Sequence, residues 1–232
     1  LELRGDRVLV VGPDSAHAGA RALLDRLAAV RTPQRFSVEA YVLPLAAERD
    51  LVRTLPAMTR AVDGAFASAV VSDARALAAA RRVLAAGARR VPLSEDVLAT
   101  PATVRHDAAH VVRTPYRADL DTAPGDPTAW GRSETGVVDQ GFVLALRPFG
   151  RDARDRDDVD VSLRVVRVAA IAPRERSTAL GDVRLLEPRL QTIAGDLRAE
   201  LGPRDVLVLA SMPSPFSQDD DIRFALLIAP VR

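Results

Sequence analysis

The chain has 232 residues, 48% of them hydrophobic, with a formal net charge of +1. That is long enough for one large or two modest domains with a real core, and too apolar for disorder. The absence of Cys excludes disulfides, thiolate metal sites and a Cys nucleophile. No run reaches the roughly 20 apolar residues of a spanning helix, so any membrane contact would be through β-structure.

The chain opens on Leu1-Glu2-Leu3, which alternates like a strand, a Gly5-Asp6 turn, and a second strand, Val8 to Val11, ending at Gly12-Pro13. This reads as the middle of a hairpin, so further residues are expected upstream. Asp14 or Ser15 can cap a following helix. Within it Ala16, Ala20, Leu23, Leu24 and Leu27 share one apolar face. Pro33 ends the helix, and Phe36 to Leu43 alternates as a strand. Phe36, Val38, Ala40 and Val42 lie on one face and Ser37, Glu39, Tyr41 and Leu43 on the other.

From Pro44 to Ser72 the pattern is mixed: Leu51, Leu55, Met58 and Val62 suit a helix that Pro56 would interrupt. Asp73 to Ala86 is a clear helix, with Leu77, Ala80, Val83 and Leu84 on one face and Gly87 as its stop. Two strands follow, Val97 to Val104 and Ala108 to Val112. The turn-rich stretch from Ala118 to Gln140 reads as an exposed loop, and Gly141 to Pro148 as a strand. Arg151 to Asp158 is a charged turn leading to a strand from Val159 to Val168. The connection from Ala169 to Gly181 shows no obvious alternation. Beyond it come Val183 to Leu190, an alternating stretch around Leu197 and Leu201, the turn Gly202-Pro203-Arg204-Asp205, and the strands Val206 to Ala210 and Phe224 to Pro230.

The reading is therefore an α+β chain. A small N-terminal βα unit over residues 1–35 precedes a β-rich domain over 36–232 that carries one or two helices. The last strands are apolar on both faces, which predicts that their sheet is covered on both sides. A chain of this size is expected to need neighbouring copies for that cover.

The chemistry-bearing residues offer little. His106 and His110 are four apart with Asp107 between, a metal spacing on a helix, but the pattern places them on successive strands or across a turn. His17 lies near a helix start. The acidic runs Asp155 to Asp160 and Asp219-Asp220-Asp221 lack the Gly and Glu of a calcium loop, and read as solvated hairpin tips. Gly12-Pro13 is no phosphate loop, and Ser214 and Ser217 have no base beside them. Glu39 has no second carboxylate or His near it in the strand. It is expected to pair with an Arg, in its own chain or across a subunit boundary. No catalytic, cofactor-binding or metal residue is assigned, no cofactor is expected, and the chain is not read as an enzyme.

All 32 basic residues are Arg. A choice this complete reads as the mark of a GC-rich genome. A nucleic-acid surface would need clustered cations with aromatics. Here acids alternate with the cations, as in Arg151 to Asp158, and aromatics are 4%. Nucleic acid and small-molecule substrates are not expected as partners.

Three stretches resemble the secretin family, the β-rich outer-membrane channels of bacterial secretion and pilus systems. Val10-Val11-Gly12-Pro13, Leu23-Leu24 and Val38-Glu39-Ala40 match the end of the last N-terminal domain and the strand after it. Leu98 with Thr100-Pro101, and Gly141 to Pro148, match the middle. Ile228-Ala229-Pro230 matches the family's closing strand. The resemblance runs from Val8 to Pro230. It implies that 1–35 end an N-domain and that 36–232 form the secretin-like core β-domain. It further implies a non-enzymatic subunit of a homo-oligomeric ring or channel for protein secretion or pilus passage. The location implied is the periplasm or outer membrane of a Gram-negative-type bacterium. Partners would be copies of itself and other envelope secretion or pilus components. The segments 112–141 and 169–181 are short beside those of a full gated channel. A pore-less relative forming rings or fibres therefore stands as the alternative, with a small soluble binding domain sharing the strand order as a further one.

Overall fold

The structure, a computed structural model, describes residues 2–4, 7–9, 13, 15, 17–19, 21, 33–55, 58–60, 66–121, 132–151, 154–178 and 181–231. The fold is mostly β. A short hairpin, β1 (Glu2–Arg4) and β2 (Arg7–Leu9), opens the chain, and the described residues from 15 to 21 are helical. The expected apolar face at Leu23, Leu24 and Leu27, and Val62, lie outside the described residues.

The centre is a seven-stranded antiparallel sheet. Its strands are β3 (Gln34–Pro44), β4 (Thr59–Arg60), β5 (Ala67–Val71), β6 (Arg89–Val91), β7 (Val97–Thr100), β12 (Val206–Pro213) and β13 (Ile222–Val231). They lie in the order β4-β5-β12-β13-β3-β6, with β7 also pairing β3. The expected alternation of β3 sets which side chain goes where. Phe36, Val38 and Ala40 enter one core, and Leu43 enters another on the opposite face, beside Tyr41. Ser211, at φ 68, sits in the β12 irregularity between Leu209 and Met212. It resets the alternation so that Leu207, Leu209 and Met212 all reach the first core.

Helices α1 (Leu45–Thr54) and α2 (Ala74–Gly87) cover the second face, bringing Leu51, Leu55, Ala80 and Leu84 against Leu43, Val208 and Leu227. The Asp73 side chain caps α2, accepting from the Arg75 N–H at 2.9 Å. The mixed stretch after Pro44 resolves into α1, which ends at Thr54, short of Pro56.

Four long strands form the second large sheet, in the order β11-β10-β9-β8. They are β8 (His106–Asp121), β9 (Arg132–Arg151), β10 (Asp157–Thr178) and β11 (Gly181–Leu201), of 16, 20, 22 and 21 residues. Three expectations are corrected here. The stretch read as a loop over 118–140 is strand at both ends, with only 122–131 undescribed. The segment after Ala169 is not a connection but the outer half of β10, running to Thr178. The two stretches on either side of Gln191 are one strand, β11.

The lower half of this sheet closes over the first face of the seven-stranded sheet. Phe142, Leu144, Leu146, Val159, Val161 and Leu163 pack against Phe36, Leu98, Phe224 and Ile228. Phe142 and Phe224 meet at 4.8 Å between ring centroids. One chain therefore covers both faces of its central sheet, and the expected need for neighbouring copies to do so does not arise. Phe142 is 1% exposed at this junction. Phe142→Ala should cost about 3–5 kcal/mol, readable as a lower denaturant midpoint with an unchanged slope.

Candidate assembly interface

Along the long strands, side chains alternate between an inner face toward the seven-stranded sheet and an outer face. In the lower half the inner face is the apolar core. The outer face there is a charged row in which Asp160 lies opposite Arg147 on one side and Arg198 on the other. Arg147 bonds Asp160 at 2.9 Å, and Arg198 bonds Asp158. Hydrogen bonding from Arg198 holds the Asp158 carboxyl below its ordinary value. Both guanidiniums stand over the Phe149 ring, at 4.9 and 4.8 Å.

Above Val165 the pattern inverts. The inner face carries Thr114, Tyr116, Gln140, Arg174, Glu187 and Gln191 together with Val112 and the buried Val138, and Arg174 and Glu187 are 3.5 Å apart. The outer face carries Val111, Val137, Val166, Leu186 and Leu190. Of these Val111 is 48% exposed, Val137 59% and Leu190 52%. Arg113 and Asp139 pair on this outer face, and the register places the exposed Glu175 there as well.

Arg167 marks the change. It is 5% exposed, its Nε donates to Gln191 Oε1 at 2.7 Å, and it is bonded to Asp220 on the β12–β13 loop. The same loop places Phe216 edge-on to His110 at 5.2 Å. A single Arg inside the apolar run Val165 to Ala170 was the sequence signal for this buried contact, and the sequence reading passed over it.

Edges matter as much as faces. β8 and β11 are the two ends of the long sheet, each laddered on one side only among the described residues. The sheet curls so that their Cα atoms come within 8 Å without pairing.

The residues singled out from sequence are not brought together. His106 and His110 both lie on β8, not on successive strands. That places them about 13 Å apart on one face. His106 Nε2 is 3.3 Å from Glu95, and His110 faces Phe216. His17 is exposed near the chain start. The first acidic run is not wholly a solvated tip. Asp157 is 2% exposed and bonded by Arg151 Nε at 3.1 Å, because β10 already begins there. Asp219 to Asp221 are exposed. Ser214 is buried, and its hydroxyl accepts from the Phe216 N–H. Among the described residues no three His, Asp or Glu side chains converge as a metal site would need.

Glu39 accepts from Tyr41 Oη at 2.6 Å and lies 3.6 Å from Arg81 of α2, so its cationic partner is in the same chain. Burial, then the hydrogen bond to Glu39, pushes the Tyr41 phenol up to about 12.

Comparison with family models, with curated proteins and with solved structures finds no match.

Because the folded phenol holds its proton more tightly than a free one, Tyr41 contributes stability that is complete below pH 10 and is lost as pH rises toward about 12. Absorbance titration at 295 nm should show one tyrosine ionising near 12. Glu39→Gln should bring that transition down toward the free value. An unshifted transition in the variant would show that Glu39 does not hold the phenol.

Proposed function

We propose that this chain is a non-enzymatic structural subunit of a homo-oligomeric cell-envelope assembly, a secretin-like ring or channel component for protein secretion or pilus passage. The finer fold reading goes with it: a small βα unit over 1–35, ending an N-domain, and a secretin-like core β-domain over 36–232. The observation that carries the proposal is the inversion along the long strands. At about 3.3 Å per residue, β9 to β11 extend roughly 70 Å. A strand crosses a bilayer in about 9–11 residues, so the upper halves alone are long enough. Apolar outside and polar inside is the pattern of a barrel with lipid around it and water within.

Four strands are too few to close such a barrel around water. Copies arranged cyclically, β8 of one beside β11 of the next, would close it and remove both edges, once the two edges that approach each other within one chain part. The sequence resemblance to secretins supports the same reading. Outer membrane or periplasm is the location that follows, with other envelope secretion or pilus components as further partners.

A second reading is a small soluble domain. It is favoured by the fact that one chain covers both faces of its own central sheet. A pore-less ring or fibre stands between the two. Particle size separates them. Light scattering at micromolar concentration, with electron microscopy of the same sample, should show rings of many copies. A monodisperse 24.9 kDa particle would refute the assembly, and filaments or rings without a lumen would select the pore-less form.

A further inference from the structure

The long sheet forks. β9 and β10 pair upward as far as the rung Gly141–Val166. Above it β9 continues only with β8, to the rung Asp121–Arg132, and β10 only with β11, to Thr178–Gly181. Among the described residues the upper half is therefore two hairpins with four free edges. Each such edge is a row of unpaired N–H and C=O groups, a template for pairing with another chain.

Three of these edges carry a proline: Pro115 on β8, Pro173 on β10 and Pro188 on β11. The fourth, β9 from Arg132 to Gln140, has none. In an antiparallel ladder, rungs that exchange hydrogen bonds alternate with rungs whose N–H and C=O groups point away from each other. Ile171–Pro188 and Pro173–Leu186 lie two residues apart on β10, so they are rungs of one kind. A proline has no N–H to give, so that kind is the one pointing away from the partner strand. Pro188 thus turns its nitrogen to the open side of β11, and Pro173 to the open side of β10.

The register carries the same assignment across to β8. Leu190 and Thr192 follow Pro188 at steps of two on β11, opposite Val168 and Val166. Val166 therefore turns its backbone groups toward β9, where it pairs with Gly141. Gly141 in turn points away from its β8 partner Val111. Two further steps of two bring Pro115, opposite Val137, into that same class. Pro148, of the alternate class on β9, agrees: its carbonyl faces the β8 side and accepts from the Thr103 N–H. All three prolines place their missing donor on an open edge, where no bond within the chain needs it.

We propose that Pro115, Pro173 and Pro188 guard the upper hairpins against strand addition by further copies of the chain. A copy laddering onto β8, β10 or β11 would leave one of its carbonyls without a donor at the proline. Among the described residues, the fork side of β9 is the upper edge where no such gap arises. The guard goes beyond the assembly reading and does not depend on it. A ring joined β8 to β11 forgoes one bond at each of the two prolines in every joint.

Hydrogen exchange of the parent tests the placement. The Val137 and Ile171 amides face the fork and should exchange freely, while Val138 and Ala172, which face their ladders, should be protected. Protection of Val137 and Ile171 would overturn the proposal. Pro115→Thr, Pro173→Thr and Pro188→Thr each restore a donor and make the edge more polar, so any added association does not come from apolar contact. Each should lower the concentration at which cross-β aggregate appears about fivefold, the effect of one ladder hydrogen bond, with an unchanged denaturant midpoint. The aggregate is recognised by a strand spacing of about 4.7–4.8 Å in diffraction. Val137→Pro, which closes the fourth edge, should raise that concentration, and Pro203→Thr, in the turn before β12, should leave it alone. Thr variants that aggregate at the parent's concentration, or a Pro203→Thr variant that matches them, would overturn the guard. A monomeric parent that shows these shifts would refute the ring and keep the guard.

Discussion

Strands β12 and β13 are apolar on both faces, and that single constraint organises the molecule. Each fully buried Leu, Val or Phe is worth about 1.5–3 kcal/mol relative to exposure, so neither face can be left to water. The helices α1 and α2 cover one face, and the lower half of the long sheet covers the other. The central sheet is too narrow to cover strands of about twenty residues along their whole length. The long sheet is therefore gripped at its base and extends beyond the core above Val165.

How much of this was legible depended on whether one environment held along a whole element. β3 and α2 sit in one environment from end to end, and their periods predicted their faces. The Gly202–Asp205 turn was equally readable. The Asp205 carboxylate accepts from the Gly202 N–H at 2.8 Å, local chemistry that owes nothing to the rest of the fold. β10 and β11 failed because each changes environment partway. In β10 the alternating residues Val159, Val161, Leu163 and Val165 are buried, Arg167 takes the next position on that face, and the apolar Val166 and Val168 lie on the other. A reader scanning for one phase sees a strand that stops near Val168. The irregularity between Val168 and Ala170 in the β10–β11 ladder adds a break just above that change.

The acids and arginines follow the same division. In the lower half they line the outer face as Arg147, Asp160 and Arg198, each exposed pair contributing under about 1 kcal/mol. Their value is in placement more than energy: opposite charges directly across a ladder favour one pairing and penalise like charges in a slipped one. Complete use of Arg adds planar guanidiniums that can stack on Phe149 while bonding a carboxylate, which Lys cannot do as well.

A strand that carries two opposite patterns is unusually sensitive to register. A slip of one residue would put the lower core into water and the upper polar face outward at once. Arg167 works against that slip. Its guanidinium is nearly fully buried and one of its nitrogens, Nη1, has no partner, so its hold on Gln191 and Asp220 has to offset a desolvation cost. Shifted by one position, the charge would leave both partners and face the opposite side of the sheet. A buried ion pair adds little net stability compared with an apolar pair of the same shape, but it strongly disfavours arrangements that strand it. The contact also ties β10 to the β12–β13 loop, and through Phe216 to His110 on β8 and Phe224 on β13. The point at which the long sheet leaves the core is thus fixed by a polar contact among apolar ones, at the height where one side of the sheet stops being interior.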